Sequence, residues 1–336
     1  MSQSQLILFS NNMHYYYRSI QTWLRRKYSG NSVKDLRIVT VFNDWKKRFS
    51  LLSVPEPDVC AEYIIAHVTG QKTLNNTDME ACLTQHQMTK VNDLCKKRLT
   101  RMPLQYVLEE WDFHDLTLKM RPPVLIPRPE TEELADLCAK TLREDVMSSG
   151  HGHQHKLLEI GSGSGALTIY ILKRFTDLDA VALDVSPDAC QLTTDNAEAV
   201  GVKDRLTVVE GDVRNKDSQA KLRSLGPFNM LVSNPPYIST EEMDILEPEI
   251  SRFEDPVALH GGPDGFDLVS EILQQAPELL SPNGHLWLEV ASQHPEQVKS
   301  FLSRLGPAHT LSYVRTVQDF AGKDRFCHVR KDSAVI

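Results

Sequence analysis

Asn234-Pro235-Pro236-Tyr237 is a stretch whose residue types suggest chemistry more readily than packing. Two consecutive prolines fix the backbone and remove two N–H donors, leaving carbonyl oxygens as the available polar groups. The Asn234 side-chain oxygen and the Pro235 carbonyl can each accept one hydrogen of a planar –NH2 group. Tyr237 can pack against the plane of that group. An amide nitrogen is a poor nucleophile because its lone pair is delocalised into the carbonyl. Two acceptors drawing on its hydrogens raise electron density on nitrogen as a new bond forms, and so favour the transition state. No strong base is required, because the proton leaves after the incoming group has arrived. The competing reading is a plain proline turn. Against it, the motif follows the apolar run FNMLVS (228–233), at the strand end where open α/β sheets bind ligands.

A second constellation, Glu159-Ile160-Gly161-Ser162-Gly163-Ser164-Gly165-Ala166, follows the apolar run KLLEI and opens a helix-like stretch. Glycines let the backbone turn tightly and approach a ligand, and the helix N-terminus beyond presents free N–H donors. The spacing Gly161-x-Gly163-x-x-Ala166 also satisfies a dinucleotide fingerprint, so the loop alone leaves NAD open. Glu159 stands where a carboxylate can hold the ammonium of S-adenosylmethionine, directly or through water. Asp184, ending the run DAVALD, can bind both ribose hydroxyls, a feature shared with NAD enzymes. After LTVVE, Asp212 can accept from an adenine amino group while Val213 packs on the ring. Asp212 is equally at home as a turn residue in Glu210-Gly211-Asp212. No acid or base suited to hydride transfer accompanies the loop. The two constellations together predict methyl transfer to nitrogen. Asn234, Pro235 and Tyr237 would carry the reaction, with Pro236 completing the substrate contact. Gly161, Ser162, Gly163, Ser164 and Gly165 would hold the donor with Glu159, Asp184, Asp212, Val213 and Asn234.

The elements that must position these residues alternate. KLLEI, DAVALD, LTVVE, FNMLVS and GHLWLEV are short apolar runs, each followed by a turn and a helix-like stretch. That pattern predicts βαβ units and a parallel sheet covered on both faces. TLSYVRT and RFCHVRK near the C-terminus predict an antiparallel edge pair, making a seven-stranded, mostly parallel, Rossmann-like sheet over residues 125–336. Residues 36–103 read instead as a small all-α bundle. Val59, Tyr63, Ile64, His67 and Val68 recur at the period of one buried helix face, as do Val91, Leu94, Cys95 and Leu99 before Pro103. Between the two, QYVLEEWDFHDLTLKM alternates apolar and polar residues and predicts a β-hairpin linker over 104–124. The bundle carries no chemistry of its own and suits a substrate-docking role.

Charge bounds the partners. The chain carries 37 Lys and Arg against 45 Asp and Glu, a net charge of −8. Residues 1–125 balance at +5 and residues 126–336 at −13. A body so acidic repels a phosphate backbone, which argues against DNA as a direct partner. No apolar run approaches the roughly 20 residues that span a bilayer, so no membrane role is expected. The first 34 residues contain no Asp or Glu, and Arg18, Arg25, Arg26, Lys27 and Lys34 are interspersed with serines. Residues 1–35 therefore read as a mitochondrial transit peptide leading to the matrix; an untargeted basic arm on a cytoplasmic protein is the alternative. Six cysteines without a CxxC pair argue against a zinc site or disulfide framework and read as small buried hydrophobes in a reducing compartment. His151-Gly152-His153-Gln154-His155 has no carboxylate or cysteine beside it and reads as a polar loop, so no metal is expected.

With these residues in view, the sequence from about Leu36 to Arg330 resembles the HemK/PrmC family, the glutamine-N5 methyltransferases of peptide chain release factors. Its most specific pieces are Pro103-Leu104-Gln105-Tyr106, Leu125-Ile126-Pro127-Arg128-Pro129-Glu130-Thr131-Glu132, the glycine loop, and Asn234–Ile238. Arg252-Phe253-Glu254, Ala258-Leu259 and Gly261-Gly262-Pro263-Asp264-Gly265 resemble its late loop. The resemblance implies a class I methyltransferase domain that takes S-adenosylmethionine. Its implied substrate is the glutamine of the Gly-Gly-Gln (GGQ) loop in class 1 release factors, mitochondrial ones given the leader. It also implies that the IPRPETE stretch lies against the donor pocket. Glu109 stands where a glycine is common before the WDF segment, and Val213 replaces an aromatic residue found in some members. An adenine-N6 methyltransferase of DNA would use the same Asn-Pro-Pro-Tyr geometry, and a different protein glutamine is a further alternative.

Overall fold

The computed structural model describes residues 35–149, 155–305 and 310–333. The basic leader, Asp35 apart, and residues 151–154 lie outside the described residues. Two compact units divide between Thr100 and Arg101.

The first unit contains α1 (Ile38–Leu51), α2 (Pro57–Thr69) and α3 (Gln85–Arg98). In α1, Ile38, Val41, Trp45 and Phe49 fall three to four residues apart and are all buried. The buried face of α2 is rotated from the expected one. Cys60, Ala61, Ile64, Ile65 and Ala66 are inside, while Val59 is exposed and Tyr63 half-buried. Small side chains, Cys60, Ala61 and Ala66, take three of the five inner positions, where they let neighbouring helices approach. Gly70 ends α2 at φ 76°, where a side chain would be strained. Thr84 and Gln87 cap α3 reciprocally, each side chain bonding the other's backbone N–H. That helix ends at Arg98, short of Pro103, and Leu99 is only half-buried.

The second unit starts with a helical turn, Leu104–Leu108, followed by the hairpin β1 (Glu110–Phe113) and β2 (Leu116–Lys119). The hairpin is thus shorter than its alternating pattern predicted. Glu109 adopts φ 64°, so the chain keeps at this point the backbone that a glycine would take. Next come α4 (Pro129–Ser149), β3 (His155–Ile160), α5 (Ala166–Arg174), β4 (Leu178–Asp184), α6 (Pro187–Val200), β5 (Leu206–Glu210) and α7 (Lys216–Leu225). They are followed by β6 (Phe228–Ser233), α8 (Asp267–Leu279), β7 (Leu280–Glu289), α9 (His294–Arg304), β8 (Leu311–Gln318) and β9 (Asp324–Lys331).

Seven strands make one sheet in the order β5-β4-β3-β6-β7-β9-β8. The first five are parallel, and β9 runs antiparallel to both neighbours. The last two strands therefore pair as expected, but only β8 is an edge; β9 slots between it and β7. The chain is a class I methyltransferase fold. Strands β3, β4 and β6 are almost wholly buried, the mark of a sheet covered on both faces. One face packs Leu157, Met230, Val232 and Trp287 against α4, α5 and α6. The other packs Leu158, Leu231, Leu286 and Leu288 against α7, α8 and α9. Of the six cysteines, Cys82 is exposed and Cys190 half-buried, so the reading of all six as buried holds for four.

Asn196, wholly buried on α6, joins three parts of this unit. Its Oδ1 accepts from Lys119 N at 2.8 Å, and its Nδ2 donates to Lys119 O at 3.2 Å and Ser164 O at 2.9 Å. The hairpin and the glycine loop are thereby fixed to one helix. Asn196→Ala strands these backbone groups and is expected to cost about 2–4 kcal/mol, from roughly 1–3 kcal/mol per unsatisfied buried group. Denaturant unfolding checks this; a loss below about 1 kcal/mol would show that the three groups find other partners.

Candidate active site

Strand register gathers the site. Ile160 of β3 lies opposite Leu183 of β4 and Ser233 of β6, and Ser233 lies opposite Leu288 of β7. Gly161, Asp184, Asn234 and Glu289 consequently emerge side by side at the carboxyl edge. This is the switch point, where consecutive crossovers leave in opposite directions and a crevice opens. A cleft of about 630 Å³ occupies it, its lining including Gly161, Gly163, Asp184, Asp212, Val213, Asn234 and Pro236. Glu159, Ser162, Ser164, Gly165, Pro235 and Tyr237 are not on its lining.

The glycine loop divides its labour. Gly161 N and Ser162 N donate to Leu183 O at 2.8 and 3.2 Å, tying the loop to β4. Gly163, at φ 55°, has open space where a Cβ would stand. Gly165, at φ 78°, is instead needed inside: a Cβ would come within 2.9 Å of the Ile169 and Thr193 side chains. Ser162 Oγ and Gly163 O both accept from Thr193 Oγ1 at 3.1 Å. Ser162, Ser164 and Gly165 thus shape the loop from behind.

The acidic residues have distinct surroundings. Asp184 accepts from Gly163 N at 2.8 Å on one oxygen and Ser186 N at 2.9 Å on the other. Burial raises its pKa, while those backbone bonds favour the charged form. Each oxygen retains lone-pair capacity. Asp212 holds the guanidinium of Arg214 at 2.6–3.0 Å and also accepts from Arg214 N, the bond of an Asx turn. Arg214 keeps its pKa below the usual carboxylate range. The turn role and a place on the cleft wall coexist. Glu159 is buried, and its carboxylate accepts from the Thr168 backbone N–H at 3.2 Å and from the Thr168 hydroxyl. Burial pushes its pKa up to about 8. The role visible here is to hold the first turn of α5.

Behind Asn234 lies a network that sequence reading did not foresee. Asn234 Nδ2 donates to Thr131 Oγ1 at 3.1 Å, Thr131 Oγ1 donates to Glu289 Oε2 at 2.9 Å, and the Tyr237 hydroxyl donates to Glu289 Oε1 at 3.3 Å. Glu289 is wholly buried, which pushes its pKa up to about 7. Burial also raises the Tyr237 phenol. Tyr237 therefore directs its hydroxyl inward, with the Arg325 guanidinium 6.0 Å from its ring centroid. Thr131 comes from the IPRPETE stretch, and Val124 and Leu125 just before it line the cleft. The stretch is pinned by Arg128 Nη2, which lies 2.7 and 2.8 Å from the two oxygens of buried Glu254. Tyr106 Oη donates to Val124 O at 2.5 Å.

The loop at Gly261–Gly265 holds the far side of the motif. Ile238 N donates to Leu259 O at 3.0 Å and Gly261 N to Ile238 O at 2.9 Å. A Cβ on Gly261 would stand 2.5 Å from Pro236 O, and one on Gly265, at φ 78°, 2.2 Å from Tyr237 O. Only bare backbone fits so close to the Pro236 and Tyr237 carbonyls. Two alanine substitutions separate shape from packing. Gly163→Ala meets open space and should cost about 1 kcal/mol for its positive φ. Gly265→Ala adds a clash with main chain and should cost about 2–4 kcal/mol. Equal unfolding midpoints for the two variants would contradict this division.

The comparisons with known proteins agree with this architecture. Residues 40–108 match the PrmC N-terminal domain and residues 132–249 the methyltransferase small domain. The human MTRF1L release factor glutamine methyltransferase is 38% identical over 87% of this chain and 87% of its own length. The release factor glutamine methyltransferase of Chlorobaculum tepidum is 32% identical over 82% of this chain and 91% of its own. That of Geobacter sulfurreducens is 32% identical over 92% of this chain and 94% of its own. Likeness of this extent, reaching from the helical unit through the cleft to the C-terminal strands, means that the chain belongs to the release factor glutamine methyltransferase family.

Proposed function

We propose that this enzyme methylates the side-chain amide nitrogen of the glutamine in the GGQ loop of class 1 release factors, with S-adenosylmethionine as donor and no metal. The observation that carries the reading is the Asn234 side chain. Its Nδ2 is taken by Thr131, so Oδ1 is left as an acceptor on the wall of the cleft that Asp184 and the glycine loop share.

The cleft suits the donor. Open space at Gly163 admits a ligand against the loop backbone, and Asp184 stands where ribose hydroxyls can reach its oxygens. Val213 and Leu183 offer apolar surface to an adenine, and the Asp184 carboxylate favours a cation. S-adenosylmethionine, when bound, supplies an electrophilic methyl group. The chain's residues do the rest. Asn234 Oδ1 and the Pro235 carbonyl accept the two hydrogens of the glutamine amide and hold its plane. Pro236 limits its movement, and Tyr237 anchors the motif through its hydroxyl. Both acceptors strengthen their hydrogen bonds as positive charge grows on nitrogen, which lowers the barrier. The proton is then released toward these oxygens and water.

The helical unit is assigned the task of gripping the release factor. The acid-free start of the chain supports import into the mitochondrial matrix, with a cytoplasmic location as the alternative. The balance of −13 over residues 126–336 disfavours DNA as substrate.

The decisive test incubates the enzyme with donor and a release factor and locates the added methyl by fragment mass spectrometry. The expected site is the GGQ glutamine; a methyl elsewhere, or on adenine of added DNA, overturns the reading. Asn234→Ala should bind donor within about threefold of wild type and lose at least about 100-fold in kcat, the scale of one misplaced transition-state contact. Undiminished turnover would remove Asn234 from the chemistry.

A further inference from the structure

We propose that Glu289 is a positioning residue that sets the hydrogen-bond polarity of Asn234, with Thr131 as the connecting hydroxyl. The inference rests on the reading of Asn234 as the acceptor for the substrate amide.

An asparagine amide can present either end to a cleft, because its oxygen and its NH2 group are nearly the same size. What stands behind it decides which. Thr131 has one hydroxyl proton, and Glu289 Oε2, 2.9 Å away, is an acceptor that claims it. The Thr131 oxygen then has only lone pairs to offer Asn234, and it accepts Nδ2–H at 3.1 Å. Oδ1 is left for the substrate. With no acceptor at position 289, the Thr131 proton is free to turn to Asn234 Oδ1. The amide then flips, and its NH2 group faces the NH2 group of the incoming glutamine, donor against donor.

Glu289 is well placed to enforce one sense. It ends β7, beside the β6 end from which Asn234 emerges, and both its oxygens meet hydroxyls. It is wholly buried, so its carboxyl cannot escape to water. Protonation on the oxygen away from Thr131 does not reverse the chain. A proton on the Tyr237 side, where the hydroxyl can turn to accept it, leaves the other oxygen facing Thr131 as an acceptor. The device therefore works through geometry rather than charge. Burial of a carboxyl is costly, and the cost is borne at a position where an acceptor can act on Asn234 through Thr131.

A variant series with the full-length enzyme, donor and a release factor tests this. Glu289→Met removes the acceptor and should lower kcat about 10- to 100-fold, the scale of a misoriented contact, with donor KM unchanged. Glu289→Gln keeps a carbonyl toward Thr131 with its NH2 on the Tyr237 oxygen, and should retain at least about a third of wild-type kcat, far above the Met variant. Thr131→Val should match Glu289→Met and Thr131→Ser should stay near wild type. The double variant should lose no more than either severe single, because one chain is cut once. Stability separates positioning from folding. The raised pKa means that Glu289's contribution to stability is present below about 4.5 and lost as pH rises through about 7. Glu289→Met should therefore gain in melting temperature relative to wild type from pH 4.5 to pH 8, while its kcat stays low. Gln as inactive as Met, additive losses in the double variant, or a kcat loss that tracks the folded fraction would each overturn the proposal. Asn234→Ala is run alongside: if it loses turnover while Glu289→Met does not, this inference fails alone. If Asn234→Ala keeps turnover, the reading beneath it has failed.

Discussion

The register of three adjacent parallel strands governs the site. With Ile160 opposite Ser233, and Ser233 opposite Leu288, the residues just beyond each strand must emerge together. Crossovers from β3 and β6 then leave toward opposite sides, and the crevice between them needs no further device. A one-residue slip of β6 would turn its side chains to the opposite face. Leu231 would leave its core, and Asn234 would lose both the cleft and Thr131. The apolar faces that fix the register are therefore also what places the chemistry.

The site carries more buried carboxyl than stability alone would favour. Glu159, Asp184, Glu254 and Glu289 are all held at raised pKa by burial. Each has a partner that is otherwise hard to fix: the first turn of α5, the glycine loop, the Arg128 stretch, or Thr131 and Tyr237. A buried acceptor with few alternatives specifies orientation more sharply than a solvated one, because the competing water is absent. Close backbone approach does the same without charge. Gly261 and Gly265 let a loop press on the Pro236 and Tyr237 carbonyls. The rigidity of the proline motif thus comes from its surroundings as much as from its own rings.

Much of this was legible in the sequence. The apolar runs identified the parallel strands, and the glycine loop and Asn-Pro-Pro-Tyr identified the edge at which a cleft would form. What escaped was long-range. Thr131 and Glu289 lie 158 residues apart, and nothing local in IPRPETE or GHLWLEV announces that they meet. Asn196 sits in an ordinary helix, and only the fold brings it to the hairpin and the glycine loop. The contact between Glu159 and Thr168 was hidden for a related reason: the spacing of Glu159 draws attention to a ligand contact, while the fold also sets it against the first turn of α5. The insertion of β9 between β7 and β8 was equally hidden, since adjacent strands in sequence suggest an edge hairpin. The α2 face is rotated because small residues, weak in an apolar count, occupy three of the five inner positions beside Ile64 and Ile65.

The central claim is that the cleft presents an acceptor to an amide. A neutron crystal structure of the enzyme with a glutamine-containing release factor fragment would test it most directly, because it sees the hydrogens that fix amide orientation. The account predicts hydrogens of the substrate amide pointing at Asn234 Oδ1 and the Pro235 carbonyl, at about 2 Å, with the Asn234 NH2 group on Thr131 and the Thr131 proton on Glu289. An Asn234 NH2 group facing the substrate, or a Thr131 proton directed at Asn234, would contradict it.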